Sequence, residues 1–236
     1  MAFPLSNSFD EIFSQLTLRD PHGGLPRKIL FWGEGVGEIS SYVAGWMAGE
    51  GIDVIVLDGA NRFDPYMVST FAKRASVSPE DLLKGIRIAR AFTCYQMTAL
   101  VEEKLISLLK KEEGAAQSPP PRVILLGPVT PFLDEDVSER EVRPLFERLL
   151  RKVEEMARGG VSFFFFQPSI PSASRAYLAR RLFQISDRVW KISLEEEGAK
   201  LVLEKERSLK IIENCKLQNG KCKFEGKNLK CLSVDG

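Results

Sequence analysis

The sequence predicts an α/β protein, a mostly parallel sheet with helices on both faces, followed by a small β-rich appendage at the C-terminus. Three observations lead there. Short continuous apolar runs, among them RKILFW, DVIVLDG, RVILLG and VSFFFFQ, recur along the chain and read as strands buried on both faces. Segments with an apolar stripe at helical spacing lie between them. Such alternation requires crossover connections, which place parallel strands between helical layers.

A leader of 1–26 precedes the domain, and its PHGGLP segment is turn chemistry. RKILFW is the first strand. SSYVAGWMAGEG then reads as a helix with Tyr42, Val43, Trp46 and Met47 on one face, ended by Gly49 and Gly51 before the strand DVIVLDG. PYMVSTFAKRA is a helix. SPEDLLKG opens another, with Ser78 as N-cap and Pro79 at the first helical position. IRIARAF is a third strand, followed by a long helix whose stripe is Leu100, Val101, Leu105, Leu108 and Leu109.

AAQSPPP is a loop, and RVILLG a fourth strand. The helix EREVRPLFERLLRKVEEMARGG turns Val142, Leu145, Leu149, Val153 and Met156 to a core, with Pro144 expected near its first turn. VSFFFFQ is a buried fifth strand, SRAYLARRLFQ a further helix, and DRVWKISL and AKLVLEKE terminal strands. This division assigns 27–207 to the α/β domain and 208–236 to the appendage, where NG and EG separate short alternating stretches in hairpin fashion. Leu30, Val56, Ile88, Leu125 and Phe165 should lie on adjacent strands, with 33–40 at one end of the sheet. Ligands of such sheets bind at the carboxyl ends of the strands.

At 236 residues and 44% hydrophobic content the chain can bury a full core. A net charge of +1 rules out a global field for nucleic acid, so any such contact needs a local patch. The appendage is one: residues 205–236 carry eight Lys or Arg against four Asp or Glu. No apolar run is long enough to span a bilayer and no signal peptide is legible, so a cytoplasmic protein with reduced thiols and no membrane partner is expected. Cys215, Cys222 and Cys231 are spaced unlike zinc knuckles, and His22 is the lone histidine. No metal site is expected. DEDVSERE, 134–141, reads as a solvated helix start, where acids suit the helix dipole.

FWGEGVGEIS follows the first strand directly. Its Gly33, Gly35 and Gly37 allow either close approach of a phosphate to backbone N–H groups or a tight strand-to-helix turn. Glu38 stands where a phosphate-binding loop would carry lysine. A dinucleotide reading pairs GEGVG with Asp58 as ribose ligand, although Glu38 replaces its third glycine and Asp58 can equally cap the turn DGANRF.

The segment 58–104 is more specific. Phe63 and Pro65 after the acidic turn, Pro79 at a helix start, Ala89-Arg90-Ala91 in a strand and Gln96 in the following helix resemble, in type and order, the RecA-like recombinase ATPases. The resemblance extends over roughly 27–204, with RVILLG as the Walker B strand and Gln167 at the sensor position. It implies a RecA-like three-layer fold with a mostly parallel sheet. The catalytic positions depart from the family. Gly37-Glu38-Ile39 replaces Gly-Lys-Ser/Thr, Ala60 stands for the glutamate that activates water, and Gly127 for the aspartate that organises Mg²⁺.

The expected function is therefore that of a non-hydrolysing paralogue, a binding or regulatory subunit in DNA recombination or repair. The alternatives are a Rossmann-type dinucleotide enzyme and an assembly factor unrelated to DNA. Candidate nucleotide or phosphate contacts are Gly33, Gly35, Gly37, Glu38 and Ser40, with Asp58, Gln96 and Gln167 as ligand or sensor. No cofactor beyond a weakly held nucleotide is expected. The expected partners are a RecA-family ATPase or a second copy, and single-stranded DNA through Arg175, Arg180, Arg181, Lys216, Lys221, Lys223, Lys227 and Lys230.

Overall fold

The computed structural model describes residues 27–112, 121–170, 175–195 and 198–206; the leader and the appendage, with Cys215, Cys222, Cys231 and the lysines from Lys216 to Lys230, lie outside them. Strands β1 (Lys28–Gly33), β2 (Val54–Asp58), β3 (Ile86–Arg90), β4 (Arg122–Leu126), β5 (Ser162–Pro168), β6 (Arg188–Glu195) and β7 (Gly198–Glu206) build one seven-stranded sheet in the order β3-β2-β4-β5-β1-β6-β7. Every pairing is parallel except β6 with β7. The register sets Val56 beside Ile88, Leu57 beside Leu125, Leu125 beside Phe165 and Leu30 beside Phe165, the expected succession of strands.

Helices cover both faces. On one lie α1 (Val36–Gly49), α2 (Pro65–Ala75) and α3 (Pro79–Lys84), packed over Phe31, Val56, Ile124 and Phe166. On the other lie α4, running from Cys94 to Glu112 as two α-helical stretches joined by a π-helical segment Leu100–Leu105, with α5 (Glu139–Arg158) and α6 (Ala176–Ile185). Side chains alternate along each strand, so FFFF in β5 feeds both layers: Phe166 stacks on Phe31 at 5.0 Å on one face and Phe163 on Phe165 at 6.2 Å on the other.

Ser78 occupies the N-cap of α3 as expected, without a side-chain capping hydrogen bond. Other local expectations need correction. Pro144 lies inside α5 rather than in its first turn; lacking an N–H, it leaves the Arg140 carbonyl without a helical partner. Of the expected core face of α5, Val142, Leu149 and Val153 are buried while Leu145 and Met156 are only partly covered. Helix α1 starts at Val36, earlier than its apolar stripe suggests, with Gly35 as N-cap in the left-handed region at φ 63°. Only Glu34 and Gly35 therefore separate β1 from α1, which decides what that loop can hold.

Phe165 is fully buried in the central strand β5. Phe165→Ala is expected to cost about 3–5 kcal/mol, measured by urea denaturation; a loss below about 1 kcal/mol would mean that the face of the sheet under α4, α5 and α6 is not closely packed.

Candidate functional site

At the carboxyl ends of β1, β2, β4 and β5 the sequence places its glycines, Asp58 and Gln167, and the fold brings them together. The connection from β2 runs to β3 on one side and that from β4 to β5 on the other, the divergence at which ligands of open α/β sheets sit.

Asp58 is fully buried at the end of β2. Its Oδ1 accepts from the backbone N–H of Ala60 (3.1 Å) and Arg62 (3.2 Å), its Oδ2 accepts from Phe63 N–H (2.9 Å), and the Arg90 guanidinium lies 3.8 Å from Oδ2. Short acidic side chains stabilise turns in this way, by drawing successive amides onto one carboxylate. Both oxygens are thereby engaged within the chain. Asp58 caps the DGANRF turn, and its full burial keeps both oxygens from the surface where a ribose would lie.

The turn then fills its surroundings. Gly127, at φ 60°, follows β4, and a Cβ placed on it would lie 2.5 Å from Ala60 Cβ and 2.9 Å from Ala60 N. Its N–H donates to the Phe166 carbonyl (2.7 Å), and Gly59 and Ala60 both donate to the Leu126 carbonyl (2.7 and 3.2 Å). Gly59 is equally confined, with Met97, Pro131 and the Gly127 carbonyl all within 2.9 Å of where its Cβ would be. Gly127 and Ala60 thus face each other in contact.

The glycine loop is filled from both sides. Gly33, at φ 125°, lies so close to β6 that an added Cβ would fall 2.1 Å from the Ile192 carbonyl oxygen. Glu34 N–H donates to that oxygen (3.2 Å), and Glu34 Oε2 accepts from Leu194 N–H (3.0 Å). Beside Gly35 sits the Leu194 side chain, and beside Gly37 the Cβ of Arg62, 3.0 Å from an added Cβ. Ser40 and Ser41 are buried, and both hydroxyls donate to the Gly37 carbonyl (2.7 and 2.8 Å), Ser41 Oγ also accepting from Asp64 N–H (2.9 Å). Of the two readings of these glycines, the geometry supports the tight turn. Glu38 stands in the first turn of α1, where a carboxylate meets the positive end of the helix dipole.

Gln167 is buried and spans two strands' ends, its Oε1 accepting from Val129 N–H (2.9 Å) and its Nε2 donating to the Pro168 carbonyl (3.0 Å). Gln96 lies apart, its Oε1 accepting from Phe92 N–H (2.8 Å) as a local cap. Among the described residues, no group of three or more His, Cys, Asp or Glu is gathered to hold a metal ion. The acids of 134–141 serve local structure: Asp134 accepts from Asp136 N–H, and Glu141 accepts from the Ser138 and Tyr95 hydroxyls. Cys94 is buried, which pushes its thiol above the usual range and withholds the reactive thiolate.

The arginine assignment is corrected at Arg175. Arg175 is buried, and its guanidinium donates to the carbonyls of Phe132, Asp134 and Val137 at 2.6–2.7 Å, tying the loop after β4 to the start of α6. Arg181 makes a two-pronged pair with Glu147 (2.7 and 2.8 Å), whose hydrogen bonds hold the Glu147 carboxyl below the usual range. The Arg175 guanidinium is thereby buried and engaged, whereas the Arg181 side chain remains 39% exposed. Arg180 is exposed. Sequence reading missed Glu34, Arg62 and Ile192 as the residues that occupy the loop; a two-residue strand-to-helix connection is the signal, and it becomes visible only once the start of α1 is fixed.

Gly127→Ala is expected to lose more than the roughly 1–2 kcal/mol that a left-handed alanine costs, because its Cβ meets Ala60. Gly51, at φ 74° with open space around it, supplies the control that carries only the backbone strain. Adding Ala60→Gly to Gly127→Ala should return part of the loss, a coupling read by a double-mutant cycle in urea. Equal losses for Gly127→Ala and Gly51→Ala would contradict the contact. No helix among the described residues is long and apolar enough to cross a membrane. Compared with known proteins, the chain matches no family model and no curated protein.

Proposed function

We propose that this chain is a non-hydrolysing relative of the RecA-like ATPases that acts by binding a partner. One observation carries the reading. The two positions that the sequence resemblance assigns to the metal-organising aspartate and the water-activating glutamate are Gly127 and Ala60, and they pack so closely that even a Cβ at 127 would lie 2.5 Å from the Ala60 side chain. Phosphoryl transfer depends on positioning and on neutralising charge at the phosphates, and here the would-be phosphate loop is occupied by Arg62, Ile192 and Leu194. The substitutions therefore support one another: a small residue at 60 suits a glycine at 127, and a glycine at 37 suits the neighbouring Arg62 backbone.

The order of motifs through 58–104 is what favours a RecA-like ancestry over other α/β sheets. A subunit of that kind keeps the surfaces that meet a neighbour while losing the chemistry between them. The dinucleotide reading is disfavoured by Asp58, whose oxygens are engaged, and no observation selects an assembly role unrelated to DNA. The basic segment 208–236 supplies a further contact, to single-stranded DNA, through phosphate charge rather than sequence, and this part of the binding falls steeply with salt.

The test uses the purified full chain and a RecA-family ATPase from the same cell. A stable complex in analytical ultracentrifugation, with the partner's ATPase rate changed at least about twofold at saturation, is the expected result. Removing 208–236 should weaken retention on single-stranded DNA at low salt and leave the melting temperature of the domain in place. No complex with any such ATPase, together with no DNA retention by the full chain, would overturn the proposal.

A further inference from the structure

One stripe of α6 borders a hollow at the carboxyl end of the sheet. Ala176, Ala179, Arg180, Phe183 and Gln184 recur at i, i+3, i+4, i+7 and i+8, so they share one face of the helix. Alanine at two positions of that stripe leaves space between α6 and the ends of β1 and β5, on the face of the sheet opposite α1. The hollow has a volume of about 400 Å³, the size of a small-molecule site.

Its walls are apolar, and the polar groups along them are engaged within the chain. Trp32 Nε1 donates to Glu204 Oε2 (2.8 Å), and Gln167 bridges the Val129 N–H and the Pro168 carbonyl. A ligand's body there meets the Trp32 and Phe183 rings, Pro168 and Ile170 with little to hydrogen-bond. A nucleotide is disfavoured, because its ribose and phosphates would give up water without gaining partners.

The rim is different. Arg180 is exposed, is the one charged side chain among the described residues that line the hollow, and makes no hydrogen bond or ion pair with a described residue. One turn further on, Gln184 Oε1 accepts from Arg181 (2.9 Å), while its Nε2 donates to no described residue. Two sets of donors therefore lie side by side on α6. Two lysines add positive potential nearby, Lys191 over the Trp32 ring and Lys205 over the Phe183 ring, each at 5.3 Å, against the one acid Glu204 on Trp32. A guanidinium offers a planar fork that matches the two oxygens of a carboxylate, and one unpaired cation balances one negative charge.

The geometry points to a binding site for a small apolar monocarboxylate, an aryl acid or a short acyl chain, with its body against Trp32 and Phe183 and its carboxylate on Arg180 and the Gln184 amide.

The test is titration of the purified full chain, ¹⁵N-labelled at tryptophan, with 2-naphthoate and with decanoate. Binding is followed through the indole Nε1–H resonance of Trp32, which Trp32→Phe identifies among the three tryptophans. A saturable shift with a dissociation constant below about 1 mM is expected for at least one acid. Arg180→Gln alters an exposed side chain and should weaken that acid at least about tenfold, while the affinity for uncharged 2-naphthamide stays within about twofold. Ala179→Phe fills the hollow and should abolish binding of both acids. Should that variant lower the melting temperature, Arg180→Gln and the Trp32 resonance still decide. Tighter binding of 2-naphthoate assigns an aryl acid and tighter binding of decanoate an acyl chain, and either supports the site. No saturable shift with either acid, a shift that leaves the Trp32 resonance unmoved, or an affinity unchanged in Arg180→Gln would each overturn the inference.

Discussion

The buried carboxylate of Asp58 organises the carboxyl end of this sheet. By accepting three backbone amides it folds residues 59–63 into a compact turn, and that turn does two things at once. It presses Ala60 against Gly127 at the end of β4, and it brings Arg62 against Gly37 at the start of α1. Hydrogen bonds to an ionised group in a buried setting are among the strong ones, and losing the acceptor would leave several amides unsatisfied. The state of the whole crevice thus follows from one side chain at the end of one strand.

Packing of this kind ties the substitutions together physically. A carboxylate at 127 would have to displace Ala60. A larger residue at 37 would push on the Arg62 backbone, and one at 33 on the Ile192 carbonyl. Each of these glycines is therefore held by a neighbour that a side chain would have to displace.

Much of the fold was legible in the sequence because buried parallel strands write themselves as apolar runs. VIVLD and SFFFFQP could be little else, and their order with the intervening helical stripes gave a parallel sheet. The site was legible only in part. The glycines at 33, 35 and 37 are equally consistent with a ligand and with a tight turn, and what separates the two is the neighbour facing each Cα, which lies on β6 or in the β2–α2 turn, far away in sequence. The same holds for Arg175, which in sequence looks like a surface cation while three loop carbonyls hold it in place. Pro144 shows the opposite failure, a local rule overridden because the packed face of α5 maintains the helix through it.

The most direct measurement is hydrolysis of ATP by the purified full chain in Mg²⁺, alone and with single-stranded DNA. A crevice filled by Ala60, Arg62 and Ile192 predicts release of phosphate no faster than in buffer under either condition. Mg²⁺-dependent turnover that disappears in Gly37→Arg, with the fold retained, would show that the crevice opens to a nucleotide and would contradict the account.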